Sequence, residues 1–304
     1  MKPAAQRYVI GVDVGSQGMK TILMDASGHV AASAYAADDA HYPAPNWAEE
    51  NPADWETALV ATVRQVMREA GAHPPDVVAL AMGSQVDGLV CVDQAGAALR
   101  PAIIWLDRRA TAQCDALEQH ISARELFYLT GANLDSSHVA PKILWIRDNE
   151  PAMFERARYL LLPGSYMAYR LTGEAAVDYS NASSTLLLDV QQKSWSPRML
   201  DIAGLDESRL GHVDGATTII GPLTSEAARR LGLSPHTLVA VGSGDEHAAC
   251  VGAGVTDSRV VCDINGTAEP VCAVASQPIF DEGGLLETHC HADPAAWLIE
   301  NPGF

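Results

Sequence analysis

Two glycine-flanked carboxylates constrain this chain more than anything else in it. Asp13 lies in Val9-Ile10-Gly11-Val12-Asp13-Val14-Gly15-Ser16-Gln17-Gly18, and Asp245 in Val241-Gly242-Ser243-Gly244-Asp245-Glu246-His247. Each stands where an apolar strand runs into glycine turns. An α/β sheet presents its ligand-binding and catalytic groups at such strand ends. The chain is therefore expected to build an α/β fold in which one edge of strand termini carries the chemistry.

The opening is strand, turn, strand, turn, strand. Tyr8–Val14, Thr21–Met24 and Val30–Tyr35 are β-rich, with turns at Gly15–Gly18 and Asp25–Gly28. This antiparallel meander is not a βαβ unit and argues against a dinucleotide-binding start. Asn51 is a good N-cap with Pro52 at the first helical position, and Leu59, Val63 and Val66 recur at helical spacing up to Gly71. Val77–Met82 and Leu89–Val92 read as buried strands. Residues 107–158 read as mostly helical, broken near Gly131 and Pro141, and Tyr159–Leu162 as a short strand ended by Pro163-Gly164. A helix is expected at Ser225–Leu231 and a strand at Thr237–Val241. A small-residue helix should run from the Asp245 turn to about Ala253. Val260–Ile264 and Val271–Val274 flank Asn265-Gly266-Thr267 as a hairpin.

The 304 residues carry 20 basic and 38 acidic side chains, a net charge of -18, and are 48% hydrophobic. That supplies ample core for one large or two modest domains. Nucleic acid and anionic membrane surfaces would be repelled on average, so neither is expected as a partner. The N-terminal residues lack a signal-peptide pattern and no apolar run reaches spanning length, so the expected location is cytoplasmic. The six cysteines form no Cys-x-x-Cys pair and read as small buried hydrophobes in a reducing compartment.

Two carboxylates at strand ends could hold a magnesium ion and activate a hydroxyl, which points to ATP-dependent phosphoryl transfer. The Gly15-Ser16-Gln17-Gly18 turn can aim backbone N–H groups at phosphate oxygens, and Lys20 adds a positive charge. A plain reading of the same residues is a hairpin with an Asp in its turn. Asp245 would open a helix, whose dipole favours the ionised carboxylate. There it could orient a hydroxyl and accept its proton late, or simply satisfy backbone N–H groups as a cap. His289-Cys290-His291 puts two histidines on one face of a strand, a spacing that can bind metal, but nothing nearby completes a site and it reads as structural. Trp105 reads as a pocket residue, Trp55 and Trp145 as core.

The chain resembles the FGGY carbohydrate kinases, xylulokinase-like branch, along its whole length. The resemblance rests on six segments in order: Ile10–Ser16; Pro45-Asn46-Trp47-Ala48-Glu49-Glu50-Asn51-Pro52 with Trp55; Arg100–Arg109; Pro141–Ile146; Gly242–Ala253; and Gly266-Thr267. It implies an actin-like, ribonuclease-H-like fold with two domains closing on ATP and sugar. The first would span residues 1–256, with the sugar site and catalytic Asp245. Residues 257–304 would begin an ATP-binding second domain. Asp13 and Asp245 would bind Mg2+; Gly15, Ser16, Gln17, Lys20, Gly266 and Thr267 would bind phosphates; and Gln85, Val86, Asp87, Trp105, Asp107 and Asp245 would face the substrate. The activity implied is phosphorylation of a ketose, such as a pentulose, or of a polyol, and a homodimer is plausible by analogy.

Departures from the family pattern bear on specificity. Val86-Asp87 stands where xylulokinases carry Met-His, and an ionised Asp accepts hydrogen bonds where His also donates. D-xylulose is therefore not favoured over another ketose or a polyol, unless Asp87 pairs with Arg108 or Arg109 instead. Much more chain follows Trp297–Phe304 in the resembled family, holding the adenine pocket, so weak or absent turnover is expected of these residues. The alternative is a catalytically silent sugar-binding or regulatory module. An actin-like or chaperone ATPase is disfavoured by the Trp105–Asp107 segment.

Overall fold

Alternating apolar residues make Tyr8–Gly15 a strand (β1) with one buried face, on which Tyr8, Ile10, Val12 and Val14 are at most 5% exposed. A computed structural model of the chain describes residues 7–264 and 270–301. β1 turns back into β2 (Gly18–Asp25), with Asp13 opposite Lys20 and Gly15 opposite Gly18, and β3 (Val30–Ala37) pairs antiparallel with β2. The expected meander is present.

Helix α1 (Pro52–Ala70) starts and stops on the expected signals. The Asn51 side chain accepts the Ala53 N–H, Pro52 occupies the first position, and Gly71 closes the helix at φ 62°. Its apolar stripe of Trp55, Leu59, Val63, Val66 and Met67 packs on the sheet beside β2 and β3. Thr62 and Thr21 satisfy each other across that interface at 2.8 Å. Leu59 is 2% exposed. Leu59→Ala is expected to destabilise the fold by about 2–5 kcal/mol, read as a lower urea midpoint at unchanged slope.

β4 (Val77–Ser84) returns parallel to β1. The expected breaks near Gly131 and Pro141 are present, and Gly131 ends the helix Ala123–Thr130 at φ 83°. Pro141 does not interrupt a helix but lies in the first turn of α2 (Val139–Asn149), where an N–H has no intrahelical acceptor to lose. Pro163 does end the short strand Tyr159–Leu161, and it also opens α3 (Pro163–Thr172). β5 (Ile219–Pro222), α4 (Ser225–Leu231) and β6 (Leu238–Ala240) follow, then β7 (Ser243–Gly244) and α5 (Asp245–Gly252). The sheet order is β5-β6-β4-β1-β2-β3, with β7 paired to the end of β4.

That order decides where the carboxylates meet. Parallel registers place Asp13 beside Gly83 and Gly83 beside Ser243, so β1, β4 and β7 end side by side. Gly242 makes the approach possible. Its φ is +90°, and a Cβ there would lie 2.1 Å from the Met82 carbonyl oxygen.

A second antiparallel sheet is built from β8 (Val261–Asp263), β9 (Val271–Ala275), β10 (Glu287–Cys290) and β11 (Trp297–Asn301), in the order β8-β9-β11-β10. The two strands of the expected hairpin pair, with Cys262 opposite Cys272. Its turn, including Gly266 and Thr267, lies outside the described residues. The apolar cluster under this sheet joins Cys272, Val274, Ala296 and Leu298 to Cys250 of α5 and to Val255. β10 is buried against the first part of the chain. Thr288 N–H donates to the Gly131 carbonyl at 2.8 Å, and Cys290 N–H to Ser183 Oγ at 3.0 Å. Among the described residues no helix is long and apolar enough to cross a membrane.

Candidate active site

Asp245 is the first residue of α5, with Gly244 rather than Asp245 in the cap position. Its Oδ1 accepts the Glu246 N–H at 2.8 Å. The helix N-terminus was expected to keep it ionised. Instead its pKa is pushed up to about 7, chiefly by burial and further by the charge of Asp13, against which the Glu246 N–H is too weak. Asp13 also rises above the usual carboxylate range through loss of hydration, with Lys20 opposing. The two line one cleft together with Ser16, Gln85, Val86 and Trp105. They also border a wider groove over Met82, Gly83 and Gly242 that reaches His291 and Asp293. Lys20 and Gln17 are exposed beside this edge, and the Gln17 carbonyl accepts the Tyr35 hydroxyl at 2.6 Å.

Gln85 is fixed from two sides. Its N–H donates to the Val14 carbonyl, and its Nε2 donates to Glu50 Oε2 at 2.9 Å. Trp55 Nε1 donates to the same Glu50 oxygen at 2.8 Å, which gives this core tryptophan a polar task. Glu50 is 3% exposed, and burial pushes its pKa up to about 7. A carboxyl raised above its unfolded value stabilises the fold below about pH 4.3 and loses that contribution as pH rises through about 7. The melting temperature is therefore expected to fall between pH 5 and 8, and Glu50→Gln to make that fall shallower. An unchanged slope would exclude Glu50 as a source.

The cleft continues past Val86 and Trp105 into a polar cavity lined by Asp87, His138, Glu246, Glu287, His289 and Glu300. Asp87 pairs with neither Arg108 nor Arg109. Its Oδ1 lies 3.2 Å from His138 Nδ1, and its backbone carbonyl accepts Lys142 Nζ at 2.6 Å. Lys142, fully buried on α2, also holds the Ile104 carbonyl, and burial lowers its pKa to about 8. Burial pulls the His138 imidazole down, but Asp87 more than offsets this and holds it above its usual value.

Asp107, expected to face the substrate, does not line the cavity. It is 0% exposed, and its oxygens accept from Ala48 N–H and from the Arg109 backbone and guanidinium. Arg109 in turn reaches Glu49 at 2.7 Å and stacks 3.7 Å over the Trp47 ring. Trp145 packs edge-on against Trp47 in the same cluster.

His138, Glu246, Glu287 and Glu300 carried no signal that sequence reading used. His289 was noticed only as half of a His-x-His pair. The pair does not converge: β10 ends at Cys290, His289 faces the polar cavity, and His291 borders the groove near Asp293. Burial pushes Glu246 up to about 8 and Glu300 up to about 7, and the charge of Glu300 raises Glu246 further. Cys272 Sγ donates to Glu246 Oε1 at 2.8 Å. Burial would raise Glu287 as well, but His289 and the Asn133 N–H bring it down to about 2.

The FGGY family of carbohydrate kinases, N-terminal domain, matches residues 8–252. Xylulose kinase of Escherichia coli (strain K12) is 33% identical over 291 residues, covering 95% of this chain and 59% of that protein. The crystal structure of xylulose kinase from Rhodospirillum rubrum superposes with a TM-score of 0.91 at 26% identity, over 97% of this chain and 60% of that one. A gluconate kinase from Lactobacillus acidophilus gives the same TM-score at 23% identity, a likeness of fold alone. The chain thus spans about 60% of the length of these relatives. With its meander, parallel crossover and paired strand-end carboxylates, the chain belongs to the FGGY family of carbohydrate kinases and has their actin-like fold.

Proposed function

We propose that this chain is the sugar-binding, base-carrying part of a kinase that transfers the γ-phosphoryl group of ATP to a hydroxyl of a ketose, such as a pentulose, or of a polyol. The observation that carries the reading is the convergence of Asp13 and Asp245 on one cleft that runs into a polar cavity. Phosphoryl transfer asks mainly for positioning and charge balance. Asp245 orients the acceptor hydroxyl and takes its proton as the O–P bond forms. A raised pKa makes it a better base than an ordinary carboxylate.

The two carboxylates fit a magnesium ion, because Asp13 repels Asp245 across the cleft and a dication would relieve that repulsion. When bound, the ion would neutralise phosphate charge. Gly15, Ser16 and Gln17 of the β1–β2 turn and Lys20 opposite Asp13 are assigned to the phosphates. Gly266 and Thr267 are assigned to them by resemblance. Gln85, Val86, Asp87 and Trp105 face the substrate, while Asp107 is structural and fixes Arg109 outside the cavity. Residues 1–256 form the sugar-binding part in this reading, and 257–304 begin the ATP-binding part.

The test is ADP release against a panel of pentuloses, hexuloses and polyols. Release that depends on one sugar supports the reading and names the acceptor. Release without sugar would make the chain an ATPase. No release with any sugar would leave a binding module.

A further inference from the structure

Three of the six cysteines meet where α5 packs on the second sheet. Cys250 on α5 and Cys272 on β9 have no exposed surface, and Cys262 on β8 is half-buried and packs against them. The β8–β9 register sets Cys262 directly opposite Cys272, so both side chains point to the same face of the sheet. The thiols of Cys272 and Cys262 both reach the Cys250 sulfur. All three cysteines are free, and the proposed reaction uses none of them.

The three thiols are not equivalent. Cys272 donates to the Cys250 sulfur and lowers its pKa, with Cys262 as a second donor, while burial and the charge of Glu246 oppose them and lose. Cys272 stays a thiol, because its bond to Cys250 and its burial raise its pKa, and its Sγ also donates to Glu246 Oε1 at 2.8 Å. Burial raises Cys262 as well, but of the three it alone has surface that a small oxidant can reach. An accessible sulfur thus stands in front of a more acidic one. Redox-sensitive pairs have this layout, in which the second thiol resolves the oxidised first. Cys114 is half-buried too, but burial and Asp135 push its pKa up to about 12.

We propose that Cys250 and Cys262 form a reversible disulfide when the chain meets hydrogen peroxide, a modification site that staples α5 to β8. The Cys262 thiolate attacks the peroxide: an S–O bond forms, the O–O bond breaks, and hydroxide leaves as water. The Cys250 thiolate then attacks the Cys262 sulfur: an S–S bond forms, the S–O bond breaks, and a second hydroxide leaves as water. The two sulfurs give up two electrons to the peroxide, and the two thiol protons end in the two waters. From hydrogen-bond reach the sulfurs must approach by about 2 Å. The turn between α5 and β8 is mostly exposed and can yield that distance. Asp245 opens α5, and β8 leads in sequence toward Gly266 and Thr267. In the proposed function the bond therefore ties the base-carrying helix to the phosphate-binding segment and slows turnover; only this consequence rests on that reading.

A metal is the competing occupant of this corner. Donor atoms of Glu246, Cys272 and Glu300 lie within 4.8 Å of one another. That set offers one sulfur and two carboxylates, and neither Cys250 nor Cys262 belongs to it. Zinc is held by thiolates, whereas the Cys272 hydrogen is engaged by Glu246, and burial pushes Glu246 itself up to about 8. Simple packing accounts for Cys250 and Cys272 but not for a thiol between the exposed Val261 and Asp263.

Treatment of the reduced chain with hydrogen peroxide, then alkylation of the remaining thiols and peptide mass spectrometry, tests the proposal. Two of the six thiols are expected to disappear into one linkage between the peptides of Cys250 and Cys262, and to return with dithiothreitol. Cys114 should stay open to alkylation. Cys250→Ala should leave Cys262 as a sulfenic acid that dimedone captures, whereas Cys262→Ser should leave Cys250 and Cys272 reduced. Misfolding cannot give these opposite results, since it would expose all remaining thiols alike. A linkage of Cys262 to Cys272, or no linkage, overturns the proposal. So does oxidation of Cys114 as fast as Cys262, because exposure alone would then govern the reaction. Zinc ion alone that binds the reduced chain and protects all three thiols from alkylation overturns it in favour of a metal site. Sugar-dependent ADP release is a separate readout, and its loss on oxidation with recovery in dithiothreitol ties the site to turnover. Release unaffected by complete disulfide formation strikes that consequence and leaves the modification site standing. No release from the reduced chain sinks the proposed function and not the disulfide.

Discussion

Asp245→Asn is expected to lower sugar-dependent ADP release by about 10²- to 10⁴-fold, the usual contribution of a positioned general base. The substitution keeps the shape of the side chain and an oxygen that can accept the Glu246 N–H. What it removes is the ability to take a proton. It also removes a carboxyl whose ionised form is disfavoured by burial and by Asp13. Stability near pH 8 should therefore be unchanged or slightly higher, which separates a catalytic loss from an unfolded enzyme. Turnover within a few-fold of the unaltered chain would remove Asp245 from the mechanism.

Asp107→Ala should have the largest effect on folding. Asp107 is fully buried and receives the Ala48 N–H at 2.6 Å and the Arg109 guanidinium at 2.8 Å. Its loss leaves Arg109, whose side chain has no exposed surface, with Glu49 as its remaining acidic partner, and orphans a buried N–H. Removing one member of a buried ion pair costs about 3–5 kcal/mol. The urea midpoint should drop accordingly, with sugar affinity of the folded fraction little altered. The opposite pattern, unchanged stability with weakened sugar binding, would return Asp107 to the substrate-contact role that its segment suggested.

The contrast between these two aspartates shows how far the chain can be read unaided. The place of Asp245 at a strand end and helix start was legible because its setting is local: an apolar strand, two glycines and a run of small helix formers within a dozen residues. The meander, the Asn51-Pro52 helix start and α4 were legible for the same reason. Asp107 was misplaced because a motif reports which residues travel together, not which way each side chain points. The same limit hid the partners in the polar cavity. Asp87 meets His138 across 51 residues, and Asn133 meets Glu287 across 154. No spacing rule links such partners.

By itself, then, the sequence determined the local geometry of β1, α1, α4 and the Asp245 turn, because caps, glycine conformations and apolar periodicity act over a few residues. Only the tertiary structure decided that Asp13 and Asp245 share a cleft, through the registers of β1, β4 and β7. It also decided that Asp87 pairs with His138, and that β10 closes the cavity with Glu287 and His289. The physical reason is that burial and pairing of charge depend on which strands lie side by side, and that is set by the packing of the whole sheet.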